Sequence, residues 1–178
     1  AEEHMYYFYS TIKKMNEFIM ANAGDANGEK LDNETLKTIV PKFIEVMDDD
    51  FNSALAISNL HIIFRDINNM MKTANKANIQ IVANTLAKAL EDIKSVYKIL
   101  GFFEQEPDEF ISNMKEKYLG KLNISVNEIE NKIAKRAEAK KNKDYETADA
   151  IRAELDKKGI LLNDTKDGTT WDIKELYS

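Results

Sequence analysis

Apolar residues recur at helical spacing along most of this chain. Met5, Tyr9, Ile12, Met15 and Ile19 step by three and four, which places them on one face of an amphipathic helix over Glu3 to Met20. A polar stretch from Asn22 to Lys30, containing Gly24 and Gly28, ends it. A second helix is expected from about Asn33 to Met47, with Asn33 as its cap and Glu34 in its first turn. Pro41 lies inside this stretch, so either a kink there or an end before it is expected. Asp48-Asp49-Asp50-Phe51-Asn52 is a break. Leu55, Leu60, Ile63, Ile67 and Met70 mark a third helix, and Val82, Leu86, Leu90, Ile93 and Tyr97 a fourth, from about Asn78 to Leu100. Gly101 closes the fourth as the residue after its cap. Four helices of ~15–25 residues with short polar joints read as an antiparallel bundle.

Gly101 to Asn123 reads as a linker, with the acidic run Glu104-Gln105-Glu106-Pro107-Asp108-Glu109. Phe102, Phe103, Phe110, Met114 and Tyr118 indicate that it packs on something. A domain boundary is expected near Gly120, giving a helical bundle over 1–120 and a small second domain over 121–178. In the second domain Ser125-Val126-Asn127-Glu128 is a capping box, and Ile129, Ile133 and Ala137 form the inward stripe of the helix it opens. Asn142-Lys143-Asp144 turns the chain. Asp144 caps a second helix that buries Ala148, Ile151 and Leu155 and stops at Lys157-Lys158-Gly159. Ile160-Leu161-Leu162 and Thr169-Thr170-Trp171-Asp172-Ile173 read as two strands around Asp167-Gly168. The expected fold is therefore mainly α: an antiparallel helical bundle followed by a small α+β domain, a helical hairpin plus a β-hairpin.

Composition narrows this further. The 178 residues are 43% hydrophobic and 31% charged, with six Gly and two Pro, a globular balance with too little turn punctuation for an all-β fold. The net charge of −6 does not point to nucleic acid, but it is unevenly distributed. Residues 1–120 hold 13 Lys/Arg against 19 Asp/Glu, whereas residues 121–178 hold 12 of each, so the acidic excess lies entirely in the first part. A local phosphate-binding stripe is compatible with such an average. The absence of cysteine excludes disulfides, thiolate metal sites and a Cys nucleophile, and fits a reducing cytoplasm. No apolar run reaches the ~20 residues of a membrane helix. The acidic start, Ala1-Glu2-Glu3-His4-Met5, has no basic n-region, so no signal peptide is expected; it opens within a helical pattern, so a piece of a longer chain is expected.

Candidate chemistry is sparse. There is no G-x-G-x-x-G and no Walker pattern. His4 and His61 each stand alone on expected helices, which fits surface or satisfied residues better than catalysts. Consecutive Asp48, Asp49 and Asp50 diverge in direction, so helix ends and a cap at Asp50 or Asn52 suit them better than a cation. The stretch Lys132 to Lys143 says more. Lys132, Arg136, Lys140 and Lys143 are spaced by four, four and three on one helix face, flanked by Lys135 and Lys141, with Glu138 as the one anion. The stripe suits phosphates, although on this feature alone a solvated helix face is the simpler reading. Tyr145 follows at the turn, either as a base-stacking ring or as core. Trp171, the only tryptophan, reads better as core.

These residues carry a resemblance. The run Arg136-Ala-Glu-Ala-Lys-Lys-Asn-Lys-Asp-Tyr-Glu-Thr-Ala-Asp-Ala-Ile-Arg152, followed by Gly159-Ile-Leu-Leu-Asn-Asp164 and Gly168-Thr-Thr-Trp171, resembles the C-terminus of bacterial cysteinyl-tRNA synthetases. Upstream, Phe43 to Leu55, with Asp48-Asp-Asp-Phe51-Asn-Ser-Ala, is similar to the start of the same family's DALR helical domain. The resemblance implies a bundle that contacts the tRNA stem and a C-terminal anticodon-binding domain. The catalytic domain, with its ATP and zinc, would lie outside this chain; no cofactor, metal or catalytic residue is expected within it. The implied partners are tRNA(Cys) and the chain's own catalytic domain, in the cytoplasm, with no membrane and no DNA. By resemblance a GCA anticodon is read around the basic helix and its turn, by Lys140, Tyr145, Asp149 and Asp164. Lys140 stands where the family often has Arg; it keeps the charge without the bidentate fork. Tyr145 stands where some members have Trp. An Asp is a poor neighbour for phosphate and a good acceptor for an unpaired base edge. Outside the motif, Lys132, Arg136 and Lys143 are the expected backbone contacts. The alternatives are a helical-hairpin protein–protein module without an RNA role, which lacks the hairpin of Gly168, Thr170 and Trp171, and a bundle that only spaces domains.

Overall fold

Helix α1 (Glu2–Asn22) follows from its apolar steps: Tyr9, Ile12 and Met15 are buried on the expected face, and Phe8 is buried as well. The computed structural model describes residues 2–22, 24, 28–166 and 168–177, and is mainly α, with eight α-helices and a two-stranded sheet among them. It divides into two compact units, residues 8–108 and residues 1–7 with 109–178.

In the first unit the expected second helix is two. Helix α2 (Glu34–Lys37) is capped by Asn33, whose side chain accepts from the Leu36 N–H, and α3 runs Ile39–Asp48. The break at Thr38 precedes Pro41, which falls in the first turn of α3, where a missing N–H disturbs no intrahelical bond. Asp49, Asp50 and Phe51 form the next joint, with Asp50 and Phe51 at positive φ; Asn52, not Asp50, caps α4 (Ser53–Thr73) by accepting from Leu55 N–H. Helix α5 (Ile79–Tyr97) continues into a short 3-10 turn that ends at Gly101, φ 72°. Leu60, Phe64, Ile67, Leu86 and Ile93 are fully buried, each worth about 1.5–3 kcal/mol against exposure. Two buried polar residues of α5 hold the irregular segment before α2: Thr85 Oγ1 accepts from Leu31 N–H at 2.8 Å, and Asn84 donates to Glu29 O at 3.3 Å. His61 lies against Phe8, with 4.6 Å between ring centroids.

The second unit is built from α6 (Pro107–Leu122), α7 (Val126–Lys141), α8 (Tyr145–Lys157) and a hairpin of β1 (Ile160–Thr165) with β2 (Gly168–Ile173). The expected linker is thus largely helical, because Phe110, Met114, Tyr118 and Leu119 recur at helical steps and pack on one core with Ile129, Leu155, Ile160, Leu162 and Ile173. Tyr6 belongs to the same core and its hydroxyl donates to Asp172 at 2.6 Å. Ser125 caps α7, and the Glu128 carboxylate accepts from Lys158 at 2.6 Å. One expectation for α7 fails: Ala137 is exposed, and the inward stripe runs through Ile129, Ile133, Arg136 and Ala139. A charged residue takes the inward place because its partner waits on the hairpin. Gly159, φ 80°, turns the chain from α8 into β1 as expected. The strands pair antiparallel, Ile160↔Ile173 through Thr165↔Gly168. Asp167, expected in the turn, lies outside the described residues.

Candidate functional site

Of the expected site residues, Arg136 and Lys140 meet Asp164, Asp149 lies within electrostatic reach of Arg136, Lys143 and Tyr145 sit at the α7–α8 turn, and Lys132 pairs with Glu154. The α7–α8 turn is tight: Lys143 sits at φ 60°, and Asp144 N–H donates to Ala139 O at 2.9 Å. Asp144 caps α8 by accepting from Thr147 N–H at 3.1 Å, and the bonds from Thr147 hold its carboxyl below the ordinary range. This turn sets Lys140 at the end of α7 and Tyr145 at the start of α8. Asp149 follows Tyr145 one turn later, on the same exposed side. Tyr145 is 63% exposed, which settles the sequence alternative against a core ring.

Asp164 is the centre of the geometry. It lies near the tip of β1, directly across the ladder from Thr169. The Arg136 guanidinium grips its carboxylate with two bonds, Nη1 to Oδ1 at 2.8 Å and Nη2 to Oδ2 at 2.9 Å. Thr169 Oγ1 donates to Oδ1 at 2.8 Å, and Lys140 Nζ donates to Oδ2 at 3.1 Å. Four donors fill the roughly four acceptor sites of a carboxylate. They hold the Asp164 carboxyl well below the usual range, with the Arg136 bonds the largest cause, then Thr169 and Lys140. The Arg136 guanidinium is raised in turn, chiefly by Asp164 and further by the charge of Asp149. Exposure separates the donors: the Arg136 side chain is 4% exposed and that of Lys140 42%. Arg136 Nε is buried and has no acceptor among the described residues.

The basic stripe is therefore divided. Lys132 donates to both oxygens of Glu154 on α8, each at 2.8 Å, and holds that carboxyl below its ordinary value. Arg136 faces inward to Asp164. Lys140 and Lys143 face solvent. Trp171 is half-buried at the edge of the core: its Nε1–H donates to Glu130 at 2.8 Å, and Lys115 Nζ lies 4.6 Å from its ring centroid. Thr169 and Glu154 were not among the expected site residues. The cross-strand register would have found Thr169, since it pairs with Asp164; Glu154 had no signal beyond lying on the neighbouring helix. Among the described residues no three His, Cys, Asp or Glu are grouped to hold a metal, and no helix is long and apolar enough to cross a membrane.

Two segments match known families: residues 42–104 the DALR domain, and residues 127–171 the cysteinyl-tRNA ligase anticodon binding domain. The chain is 37% identical over 155 residues to the cysteine–tRNA ligase of Geotalea daltonii, an alignment covering 86% of this chain and 31% of that protein. It is 34% identical over 168 residues to that of Thermodesulfovibrio yellowstonii (93% and 34%), and 32% identical over 185 residues to that of Geotalea uraniireducens (98% and 37%). The chain spans about a third of the length of these relatives.

Proposed function

We propose, from the premise that this chain carries a DALR domain and a cysteinyl-tRNA ligase anticodon-binding domain, that it is the tRNA-binding end of a cysteine–tRNA ligase. In that whole protein, a class I aminoacyl-tRNA synthetase of the cytoplasm, ATP-driven attachment of cysteine takes place in a separate catalytic domain. The unit of residues 8–108, which holds the DALR match, is assigned to the tRNA stem, and the unit of residues 1–7 with 109–178, which holds the other match, to the anticodon.

The observation that carries the assignment is the convergence at Asp164. A carboxylate held ionised at an exposed joint and bonded to an exposed lysine, with an exposed tyrosine opening α8, suits an unpaired base better than a phosphate. In this reading Asp164 and Asp149 accept from base N–H groups. Lys140 donates to a base or its phosphate, and Tyr145 stacks. Lys143, exposed in the turn, lies along the backbone path; Lys132 joins it by exchanging Glu154 for phosphate. The hairpin with Gly168, Thr170 and Trp171, which a helical-hairpin interaction module lacks, supports the RNA reading.

The test is a titration of the 178-residue chain with a tRNA(Cys) transcript and with the same transcript carrying a changed anticodon, at two salt concentrations. Tighter binding of the unchanged transcript, with affinity falling steeply as salt rises, is expected. Equal affinity for the two transcripts would overturn the anticodon assignment.

A further inference from the structure

We infer that Arg136 and Thr169 are positioning residues that fix the direction in which Asp164 accepts a hydrogen bond from an unpaired base; this rests on the anticodon reading above. Asp164 is set near the end of a two-stranded hairpin, next to the last ladder pair, Thr165↔Gly168. Two-stranded hairpins are marginal alone, and a carboxylate at such a place turns freely about its side-chain bonds. Here it is tied to elements of greater rigidity. Arg136 projects from the buried face of α7 and takes one lone pair on each oxygen, which fixes the plane of the carboxylate. Thr169, on the opposite strand, takes the second lone pair of Oδ1. A 3.5 Å contact from Arg136 Nη1 to Thr169 Oγ1 closes the triangle.

One acceptor direction is left, on Oδ2, and it is held in the free protein by Lys140 at 3.1 Å. Of the donors around Asp164, Lys140 is the exposed one and leaves without uncovering buried charge. An incoming base N–H therefore meets Asp164 along a single line, the one that Lys140 vacates. Reading at this precision requires a group held within about 0.5 Å by its supporting contacts. Arg136 and Thr169 supply those contacts without touching the RNA.

The measurement is the ratio of Kd values for the changed-anticodon and unchanged tRNA(Cys) transcripts. Asp164→Asn is the reference and should lower the ratio about tenfold, the size of one base-edge contact. Thr169→Val, which removes only the hydroxyl donor, and Arg136→Lys, which keeps the charge but not the fork, should each lower it about threefold or more. Thr169→Ser should restore it. Affinity for the changed transcript, carried by phosphates, should stay level throughout. If Asp164→Asn lowers the ratio while Thr169→Val and Arg136→Lys both keep it, the positioning role is overturned and the anticodon reading stands. If Asp164→Asn itself keeps the ratio, Asp164 is not a reader and the positioning role falls with it, whereas the anticodon reading falls only if the parent chain binds both transcripts equally.

Discussion

Removing either half of the Arg136–Asp164 pair should have unequal consequences. Asp164→Ala strands a guanidinium that is buried on α7, with a 3.5 Å hydrogen bond to Thr169 Oγ1 still available to it. Loss of one partner of a buried pair costs about 3–5 kcal/mol; because the Asp164 side chain is 41% exposed, water reaches the stranded charge, and about 2–3 kcal/mol is the discounted expectation. Arg136→Met removes the buried charge itself. Methionine refills much of the space of the buried stem, the Nε donor without an acceptor disappears, and Asp164 keeps Thr169, Lys140 and solvent. That substitution should cost about 1 kcal/mol or less. The double variant should resemble Arg136→Met rather than the sum of the two. Urea unfolding followed by Trp171 fluorescence reads this directly, since the only tryptophan lies in the same unit. The pH dependence has a defined sign. The folded carboxyl titrates below its unfolded value of ~3.9, so its contribution is complete above that pH and is lost as pH falls toward the depressed folded value. The gap between the parent and Asp164→Ala should narrow below about pH 4. If Arg136→Met costs as much as Asp164→Ala, or if the two costs add, the account of a buried cation held by an exposed anion is wrong.

Other expectations follow from exposure and backbone geometry. Tyr145→Ala should weaken binding of the tRNA(Cys) transcript by about 1–2 kcal/mol, the size of one base stack, while leaving the melting temperature in place; a shifted melting temperature with unchanged affinity would mark the ring as structural. Lys143→Gly should relieve the positive φ and stabilise the second unit by about 0.5–1 kcal/mol. The same change should reduce the slope of log K against log salt by about one phosphate contact, so an unaltered slope excludes Lys143 from the RNA path. Thr85→Val leaves the Leu31 N–H without its acceptor and should cost about 1 kcal/mol. Limited proteolysis should then cut faster within 28–33, and an unchanged cleavage rate would show that this bond does not hold the segment.

Much of the fold could be read from residues close together in sequence. Asn33, Ser125 and Asp144 cap the helices they precede, and Gly101 and Gly159 end those they follow, because caps depend on three or four neighbouring residues. The break at Thr38 was legible through Pro41. The orientation of α7 was not. Apolar periodicity assigned Ala137 to the inside, whereas Arg136 points inward because of Asp164, 28 positions later. No local pattern announces a charge that is buried by a distant partner. The site divides in the same way. Lys140, Tyr145, Asp149 and Asp164 follow a motif, and Lys140 does meet Asp164, while the pairing of Lys132 with Glu154 requires the packing of two helices.

The buried guanidinium also sets an order in which this site can change over generations. A lineage that loses Asp164 first inherits a stranded cation and a weakened fold. One that loses Arg136 first keeps a hydrated carboxylate and a nearly intact fold, with reading blunted rather than abolished. Drift at position 164 is thus expected to wait on position 136, and the parent, the two single variants and the double variant of the unfolding series are the four corners of that path.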